Sequence, residues 1–376
     1  MSKKIIIIGS FLDSLLWFRK DLMKHLNEEH YEVIACAPIP ANKNLLKEFP
    51  EIGARYVEIP MSRTGLNPLK DFTTLVFLFN FFRKEKPDIV LSYAIKPVIY
   101  GSIAARLARV GAIFSIITGL GHAFISRGVK GWVLSNIATK LYKVALLGNR
   151  KIFFQNPDDQ AFYLEKKIIN HVDQTQIING SGVDLNHFYQ KPFPETFSFL
   201  LVARLLKEKG IYEYVEAARR VKIKFPNVEF KLVGFLDHNP SVISESDLKE
   251  WQKEGIIKFL GRSENVVEEL QECSVFVLPS YREGTPRTVL EAMAVGRPII
   301  TTDVPGCRET TITGYNGFLV KAKDIGSLQK AMEKLIENST LLSEMGARSR
   351  QLAEEKYDVH KVNRIIIDTL EKSIIS

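Results

Sequence analysis

Two glutamates, Glu283 and Glu291, lie eight positions apart in a segment that passes from a predicted strand through a glycine-containing loop into a predicted helix. The strand ends at Leu278, and the helix begins near Pro286, a residue type favoured in the first helical turn. The free amides of a helix start, aided by the helix dipole, bind phosphate groups well. We expect these amides to come from Gly284, Thr285, Arg287 and Thr288.

The two carboxylates are expected to bind something other than phosphate. Like charges repel at short range, so a carboxylate is a poor phosphate ligand, whereas it readily accepts hydrogen bonds from sugar or ribose hydroxyls. In the alternative interpretation, Glu283 is a capping or first-turn acid and Glu291 is a solvated helix residue. The residues alone leave both interpretations open.

A second loop, residues 202–210, follows the first predicted strand of the C-terminal half and contains Arg204 and Lys209. Both can bind a diphosphate, the arginine as a planar fork and the lysine as a point charge. The alternative is an ordinary solvated basic loop.

Candidate residues of the N-terminal half lie in loops that contain Gly9, Lys96, Thr118, His122 and residues 179–184. Gly119 and Gly121 resemble part of a dinucleotide fingerprint, but position 124 is Phe and no suitably placed acid follows. We therefore exclude a nicotinamide or flavin enzyme. A loop histidine such as His122 is either a catalytic group or a hydrogen-bonding or packing residue.

Short β-branched runs alternate with amphipathic segments along the whole chain, which is typical of α/β domains with parallel sheets. The predicted strands are 4–8, 31–37, 55–59, 88–92, 113–118 and 151–155, then 197–203, 229–233, 257–260, 274–278, 298–302 and 317–320. Helical periodicity is clearest at 15–26, 68–84, 98–110 and 132–147.

The alternation is interrupted at residues 187–196, where two prolines fall in a stretch without periodicity. We expect two doubly wound, Rossmann-like domains, over 1–190 and 191–358, with a C-terminal helix, 359–376, that packs back on the first domain. Ligands of such sheets bind beyond the carboxyl ends of the strands, so two facing domains are expected to form a ligand cleft.

The net charge of +8 lies in one half of the chain, because residues 1–187 carry all of it and residues 188–376 are neutral. Nine basic residues and no acid lie between Asp88 and Asp158. The first half is therefore expected to face something negative. A basic nucleic-acid-binding protein is one alternative, although no binding motif and no interleaved exposed aromatics are recognisable.

The three cysteines are scattered without the spacing of a zinc site or a disulfide framework, which favours a reducing, cytosolic compartment. The longest apolar stretch, 72–82, is shorter than the about 20 residues that span a bilayer. We expect no transmembrane segment and leave a peripheral membrane contact open.

With these loops, the sequence resembles glycosyltransferases of the GT-B fold, specifically the retaining enzymes of family 4. The segment Glu283–Glu291 matches the family's E-x7-E motif, and Arg204 with Lys209 matches its diphosphate-binding pair. Residues 93–97, 117–121, 154–158 and 179–184 are similar to bacterial members that extend polyprenyl-diphosphate-linked glycans, above all N-acetylgalactosaminyltransferases of O-antigen and N-glycan assembly.

The resemblance implies a role for each matching residue. Glu283 would hold donor-sugar hydroxyls, Glu291 the ribose hydroxyls, and Arg204 with Lys209 the diphosphate of a UDP-sugar. The backbone near Arg262 would lie beside the uracil, and Gly9 would also contact the donor. No metal or other cofactor is expected, because two cations and a helix start already face the leaving group.

The acceptor side departs from the family at Thr118, where many members carry a His and some a Glu. In a front-face retaining reaction the leaving phosphate itself can take the acceptor proton. Lys96, Thr118, His122 and Arg127 are the predicted acceptor-binding residues. The alternative enzymes are hexosyltransferases that use galactose, glucose or N-acetylglucosamine, and a GT-B epimerase or phosphorylase.

A lipid-linked acceptor explains the acid-free interval, since each Lys or Arg near an anionic membrane surface contributes about 1 kcal/mol to binding. Residues 128–150 predict an amphipathic helix with Trp132, Val133, Ile137, Leu141 and Val144 on one side and Lys130, Lys140 and Lys143 near its edges. Either its apolar side faces lipid, at the inner face of the cytoplasmic membrane, or it faces the protein core.

Overall fold

The computed structural model describes residues 2–39, 42–62, 67–121, 124, 128–236 and 241–375. The chain forms two compact units, one of Met1–Ser181 with Val362–Ser376 and the other of Gly182–Lys361. Both units have a parallel sheet with helices on its two faces, so the predicted α/β class with two Rossmann-like domains is confirmed.

The first unit contains a seven-stranded parallel sheet in the order β3-β2-β1-β4-β5-β6-β7. Its strands are β1 (Lys4–Ile8), β2 (Glu32–Ala37), β3 (Ala54–Glu58), β4 (Ile89–Tyr93), β5 (Ala112–Ile117), β6 (Lys151–Phe154) and β7 (Thr175–Ile177). Its helices are α1 (Leu12–Glu28), α2 (Glu48–Glu51), α3 (Pro68–Glu85), α4 (Ser102–Leu107), α5 (Gly128–Leu146) and α6 (Pro157–Glu165).

Strand β1 shows how this sheet separates two cores. Successive side chains of a strand point to opposite faces, and Ile5 and Ile7 join a cluster with α1, whereas Ile6 and Ile8 join one with α3 and α4. All four isoleucines are fully buried, as a strand covered on both faces requires.

The C-terminal helix α13 (Val359–Ile375) completes the core beside α1. Its buried side chains in this cluster are Val362, Ile366, Ile367 and Leu370. Arg364 of α13 also forms an ion pair with Glu29 at a distance of 2.7 Å. The last residues of the chain therefore belong to the first unit.

The second unit has a six-stranded parallel sheet in the order β10-β9-β8-β11-β12-β13. Its strands are β8 (Ser198–Val202), β9 (Glu229–Val233), β10 (Lys258–Phe259), β11 (Val275–Leu278), β12 (Ile299–Thr302) and β13 (Gly317–Val320). Its helices are α7 (Ile211–Lys224), α8 (Glu245–Lys253), α9 (Val266–Gln271), α10 (Arg287–Ala294), α11 (Ile325–Ile336) and α12 (Ser339–Leu352).

The division between the units lies before the predicted boundary at 190. Val183 forms a parallel bridge with Asp358, and its amide donates to the Tyr357 carbonyl oxygen at 2.8 Å. Val183 and Phe188 are buried in a core cluster of the second unit. Two buried apolar side chains thus fix residues 182–190 to the second sheet, although that stretch has no strand or helix pattern.

Candidate functional site

The strand order of the second unit brings the candidate loops to one edge of its sheet. Strands β10, β9, β8, β11 and β12 are consecutive neighbours, and all run parallel. The segments that follow β8, β10 and β11 contain Arg204 with Lys209, Arg262, and Glu283. These residues are therefore assembled at the carboxyl edge, where ligands of open α/β sheets bind.

Backbone contacts fix the loop after β8 against the loop after β11. The Tyr281 amide donates to the Glu208 carbonyl oxygen at 2.9 Å. Gly210 has a φ of +71°, and a Cβ at this position would lie 2.1 Å from the Pro279 carbonyl oxygen. Only glycine allows both the left-handed turn and this approach, so Lys209 is held beside the Glu283 loop.

The Glu283 carboxylate has two hydrogen-bond donors. Ser280 Oγ donates to Glu283 Oε1 at 2.6 Å, and the Lys209 ammonium donates to the same oxygen. Both members of this ion pair are largely buried. Glu283 is therefore bound to side chains of its own and the neighbouring loop, and the alternative of a helix-capping acid is not what the structure shows.

The loop after β12 holds the backbone of Glu283. The Glu283 amide donates to the Pro305 carbonyl oxygen at 3.0 Å. Gly306 has a φ of +86°, and a Cβ there would lie 2.4 Å from the Glu283 carbonyl oxygen. The Gly306 amide donates to Glu309 Oε2 at 2.7 Å. Glu309 and Gly306 thus shape the turn that supports the Glu283 peptide.

Glu291 is buried in the second turn of α10, where its Oε1 accepts from Arg287 Nε at 2.8 Å. Burial raises the pKa of the Glu291 carboxyl, and Arg287 opposes this shift without cancelling it. The alternative of a solvated helix residue is therefore wrong. Pro286 has extended backbone and immediately precedes α10, so the Gly284 and Thr285 amides precede the helix and those of Arg287 and Thr288 open it.

The other two predicted cations of this edge have exposed side chains. Arg204 lies two residues beyond the end of β8. Arg262 follows β10, and its guanidinium lies 5.5 Å from the ring centroid of Phe235, which follows β9. The loop after β10 is held against the loop after β9, because the Gly234 amide donates to the Gly261 carbonyl oxygen at 2.8 Å.

In the first unit, Lys96 already has an anionic partner. Its Nζ lies 2.8 Å from Asp71 Oδ1 of α3, and both side chains are mostly buried. Tyr100 also hydrogen-bonds Asp71, and the pKa of this tyrosine is raised, first by burial and then by the carboxylate. Thr118 is half-buried directly after β5. His122 and Arg127 lie outside the described residues.

Gly9 was predicted to contact the donor, but the packing of the first unit explains why glycine stands at this position. Its amide donates to the Cys36 carbonyl oxygen at 2.9 Å, which continues the pairing of β1 with β2. A Cβ at Gly9 would lie 2.5 Å from the Tyr93 hydroxyl oxygen. That hydroxyl shares a 2.8 Å hydrogen bond with Ser14 Oγ. Glycine is needed here for the approach of Tyr93, and donor contact at Gly9 stays a prediction.

Three residues that contact these sites were not identified from the sequence. Ser280 and Glu309 support Glu283, and Asp71 binds Lys96. Ser280 lies three residues before Glu283, a spacing that allows a local hydrogen bond, so the sequence contained a weak signal for it. Glu309 binds Gly306 three residues earlier, but Gly306 meets Glu283 only in the folded protein, and Asp71 lies 25 positions from Lys96, so the sequence has no local signal for these two contacts.

Within the described ranges, we find no group of three His, Cys, Asp or Glu side chains placed to hold a metal ion.

Both halves of the chain match protein-family profiles. Residues 10–156 match the family described as "Glycosyl transferase 4-like", and residues 184–352 match the family described as "Glycosyl transferases group 1".

Two curated relatives are similar over most of their length. The N,N'-diacetylbacillosaminyl-diphospho-undecaprenol alpha-1,3-N-acetylgalactosaminyltransferase of Campylobacter jejuni is 29% identical over 90% of both chains. The UDP-Gal:alpha-D-GlcNAc-diphosphoundecaprenol alpha-1,3-galactosyltransferase of Escherichia coli is 28% identical over 79% of this chain and 78% of the relative.

A solved structure, sucrose-phosphate synthase from Thermosynechococcus elongatus, matches 98% of both chains with a TM-score of 0.83 and 19% sequence identity. This likeness shows that the fold is GT-B.

Proposed function

Because the chain belongs to the glycosyltransferases that combine a type 4-like domain with a group 1 domain, we propose that it is a retaining hexosyltransferase. It moves a sugar from a UDP-sugar to an undecaprenyl-diphosphate-linked glycan. The sugar we propose is N-acetylgalactosamine, added in α linkage. The product enters O-antigen, capsule or glycoprotein glycan assembly. The activities named for the two relatives support this acceptor class, and that of the Escherichia coli enzyme supports a UDP-linked donor.

The observation that carries the proposal is the Lys209–Glu283 ion pair, next to the start of α10. Glu283 accepts hydrogen bonds from donor-sugar hydroxyls. The ammonium of Lys209 neutralises the carboxylate, which reduces its repulsion of a nearby diphosphate. When the sugar leaves, Lys209 and Arg204 stabilise the negative charge that develops on UDP.

The rest of the donor is bound by residues of the same sheet edge. Glu291 accepts from the ribose hydroxyls, and the backbone near Arg262 lies beside the uracil. The diphosphate contacts the amides of Gly284, Thr285, Arg287 and Thr288. The fixed charges and the dipole of α10 thereby stabilise the negative charge of the diphosphate, and we propose that no metal ion takes part.

The acceptor binds to the first unit, at the carboxyl edge where Lys96 and Thr118 lie. Threonine at position 118 is a poor proton acceptor, so the oxygen of the departing phosphate takes the proton of the acceptor hydroxyl. The bond to the sugar anomeric carbon forms on the side from which UDP leaves, and configuration is retained. His122 and Arg127 remain predicted acceptor contacts.

We place the enzyme at the inner face of the cytoplasmic membrane, where a lipid-linked acceptor is reached from the aqueous side. Across the part of the chain that the structure describes, every helix is too short or too polar to cross a bilayer.

Replacement of Glu283 tests the donor site. We expect Glu283→Gln to lower the rate of sugar transfer by about hundredfold or more, because the neutral amide binds hydroxyls weakly and loses its pairing with Lys209. UDP binding, measured by calorimetry, should change little. Glu250→Gln, an exposed acid on α8, is the matched control. Wild-type transfer by the Glu283 variant would contradict the role assigned to this carboxylate.

A further inference from the structure

Large apolar side chains are exposed on the N-terminal halves of two helices of the first unit. On α5, Val129 is 81% exposed and Trp132 is 69% exposed; on α3, Leu69 is 78% exposed and Phe72 is 62% exposed. Val76, Val133 and Ile137 continue the two exposed rows. Contiguous exposed apolar surface of this kind marks a place where a protein contacts a partner or a membrane.

Helix α5 packs on the core with small residues along most of its length and with Tyr142 and Leu146 near its C-terminal end. The buried positions include Gly131, Ala138 and Ala145, together with Tyr142. Trp132, Val133, Ile137 and Val144 lie on the exposed side, whereas Leu141 and Leu146 pack in the core cluster. The core-facing interpretation is therefore contradicted for four of the five apolar side chains that the sequence placed on one side of this helix, Trp132, Val133, Ile137 and Val144.

Helices α3 and α5 lie on the same face of the sheet. Both pack against α4 and the turn at Pro97–Gly101 that precedes it. Two side chains of β5 show this. Ile113 packs in the core cluster that contains buried residues of α3, and Ile117 packs in the cluster that contains buried residues of α5. Residues two or four apart on a strand point the same way.

The N-terminal ends of both helices lie at the carboxyl edge of the sheet. Helix α3 ends at Glu85, directly before β4, and α5 ends at Leu146, shortly before β6. Short connections place these C-terminal ends at the amino edge of the sheet, so the first turns lie about one helix length away, at about 1.5 Å per residue. The exposed apolar residues thus lie at the edge where Lys96 and Thr118 follow β4 and β5.

The charges around the exposed apolar residues are positive. Lys70, Lys130, Lys140 and Lys143 are exposed on the two helices. Helix α5 contains no acidic residue, and the acid in the first turn of α3, Asp71, is buried and bound to Lys96. Interfacial tryptophan and phenylalanine with flanking lysines and without exposed acids are what an anionic lipid surface attracts.

We infer that the first turns of α3 and α5, with Leu69, Phe72, Val129, Trp132 and their lysines, form a surface that docks on an anionic lipid bilayer. We call it the α3/α5 lipid surface. The inference rests on the proposed function in that a lipid-linked acceptor would be presented at this edge. It adds α3 to the membrane contact and orients the carboxyl edge of the first sheet toward the bilayer.

Co-sedimentation of the full chain with vesicles tests the surface. We expect binding to vesicles of phosphatidylcholine mixed with phosphatidylglycerol, weaker binding to pure phosphatidylcholine, and a loss on raising salt from about 0.05 M to about 0.5 M. The pair Phe72→Ser with Trp132→Ser, and the pair Lys130→Glu with Lys140→Glu, should each weaken binding about tenfold or more.

Matched controls come from the second unit. Ile223→Ser removes a side chain that is 84% exposed on α7, and Lys253→Glu reverses an exposed charge on α8. Both controls should bind as the wild type does, and circular dichroism should show all variants folded. Absence of wild-type binding would overturn the inference, as would equal losses in the controls or a loss confined to the charge-reversal pair.

A second readout separates this inference from the proposed function. Transfer to a water-soluble acceptor with a shortened prenyl chain does not need a bilayer. We expect the Phe72/Trp132 variant to keep this transfer while it loses vesicle binding. A wild-type protein that binds the vesicles but transfers no UDP-sugar would contradict the proposed function and leave the lipid surface in place.

Discussion

At the scale of single residues, the main finding is that both glutamates of the candidate site are paired with basic side chains. The sequence identified Glu283, Lys209 and Glu291 by type and spacing, but the Lys209–Glu283 contact joins positions 74 apart in the chain. Arg287 was expected to contribute its amide, yet its guanidinium also binds Glu291. The Lys209–Glu283 pairing depends on the folded loops, for which the sequence has no local signal, whereas Arg287 and Glu291 are an i,i+4 pair within α10 that helix spacing allows.

Replacement of Lys209 should affect the rate more than the binding of UDP. We expect Lys209→Met to reduce the turnover number by about 10² to 10³, because the removed charge acts mainly on the developing diphosphate. Lys209→Arg should recover part of the rate, since the charge is kept but its geometry changes. Steady-state kinetics measure this. Lys207→Met, in the same loop and exposed, is the control, and an equal loss in it would contradict the prediction.

The buried Glu291 carboxyl predicts a pH dependence of stability. Its pKa in the folded protein is raised from the ordinary value of 4.5, so between the unfolded and folded pKa values the folded state binds more protons than the unfolded state. Stability is then lost as the pH rises through this range. Glu291→Gln should remove that loss, so the variant should gain stability relative to the wild type on going from pH 4 to pH 7, as chemical denaturation would measure.

The opposite trend, in which the wild type gains stability relative to the variant on raising the pH, would show that Arg287 outweighs burial. Glu245→Gln provides a control, because Glu245 is fully exposed and its pKa is lowered by Lys249.

At the scale of elements, the predicted strands and three of the four predicted helices are present, and the shortest elements were not predictable. Each predicted strand is present with its ends shifted by at most one residue, because buried parallel strands give continuous apolar runs. The three-residue strand β7 was missed, since Thr175–Ile177 is too short to show a pattern. The helix expected over 98–110 is a π-helical turn, Pro97–Gly101, followed by the short α4.

The turn after β12 should be essential for the Glu283 loop. Gly306→Ala places a Cβ against the Glu283 backbone, and it also strains a left-handed residue by about 1 to 2 kcal/mol. We expect this variant to be less stable and to lose transfer activity. The control is Gly314→Ala, because Gly314 has a similar φ of +81° and a Cβ added there would meet nothing within 4 Å.

Thermal unfolding and transfer assays of the two alanine variants separate strain from the close contact. The Gly314 variant should lose some stability only. If both variants kept equal activity, the support of Glu283 by this turn would be contradicted.

At the scale of the whole molecule, charge and chemistry are divided between the two halves of the chain. The half without net charge contains all the predicted donor residues except Gly9. The basic half contains the predicted acceptor residues and the α3/α5 lipid surface. Composition alone was compatible with a nucleic-acid-binding protein. The position of the charges supports the proposed lipid-linked, anionic acceptor.

The two compact units also bury all three thiols. Burial raises the pKa of Cys273 and of Cys307 to about 12 and raises the pKa of Cys36 as well. The folded protein should therefore resist a thiol-modifying reagent at pH 8 and react at three positions after denaturation. Modification followed by mass spectrometry measures this, and rapid labelling of the native protein would contradict the described packing.

Transfer itself tests the account most directly. A panel of UDP-sugars is offered with a synthetic polyprenyl-diphosphate-linked monosaccharide, and the products are weighed by mass spectrometry and their anomeric configuration is determined. We predict one new α-linked hexose or N-acetylhexosamine, with UDP-N-acetylgalactosamine the preferred donor. A product that carries galactose, glucose or N-acetylglucosamine would contradict the proposed donor sugar but not the reaction. A β-linked product would contradict retention of configuration. No transfer from any UDP-sugar to this acceptor would contradict the central claim.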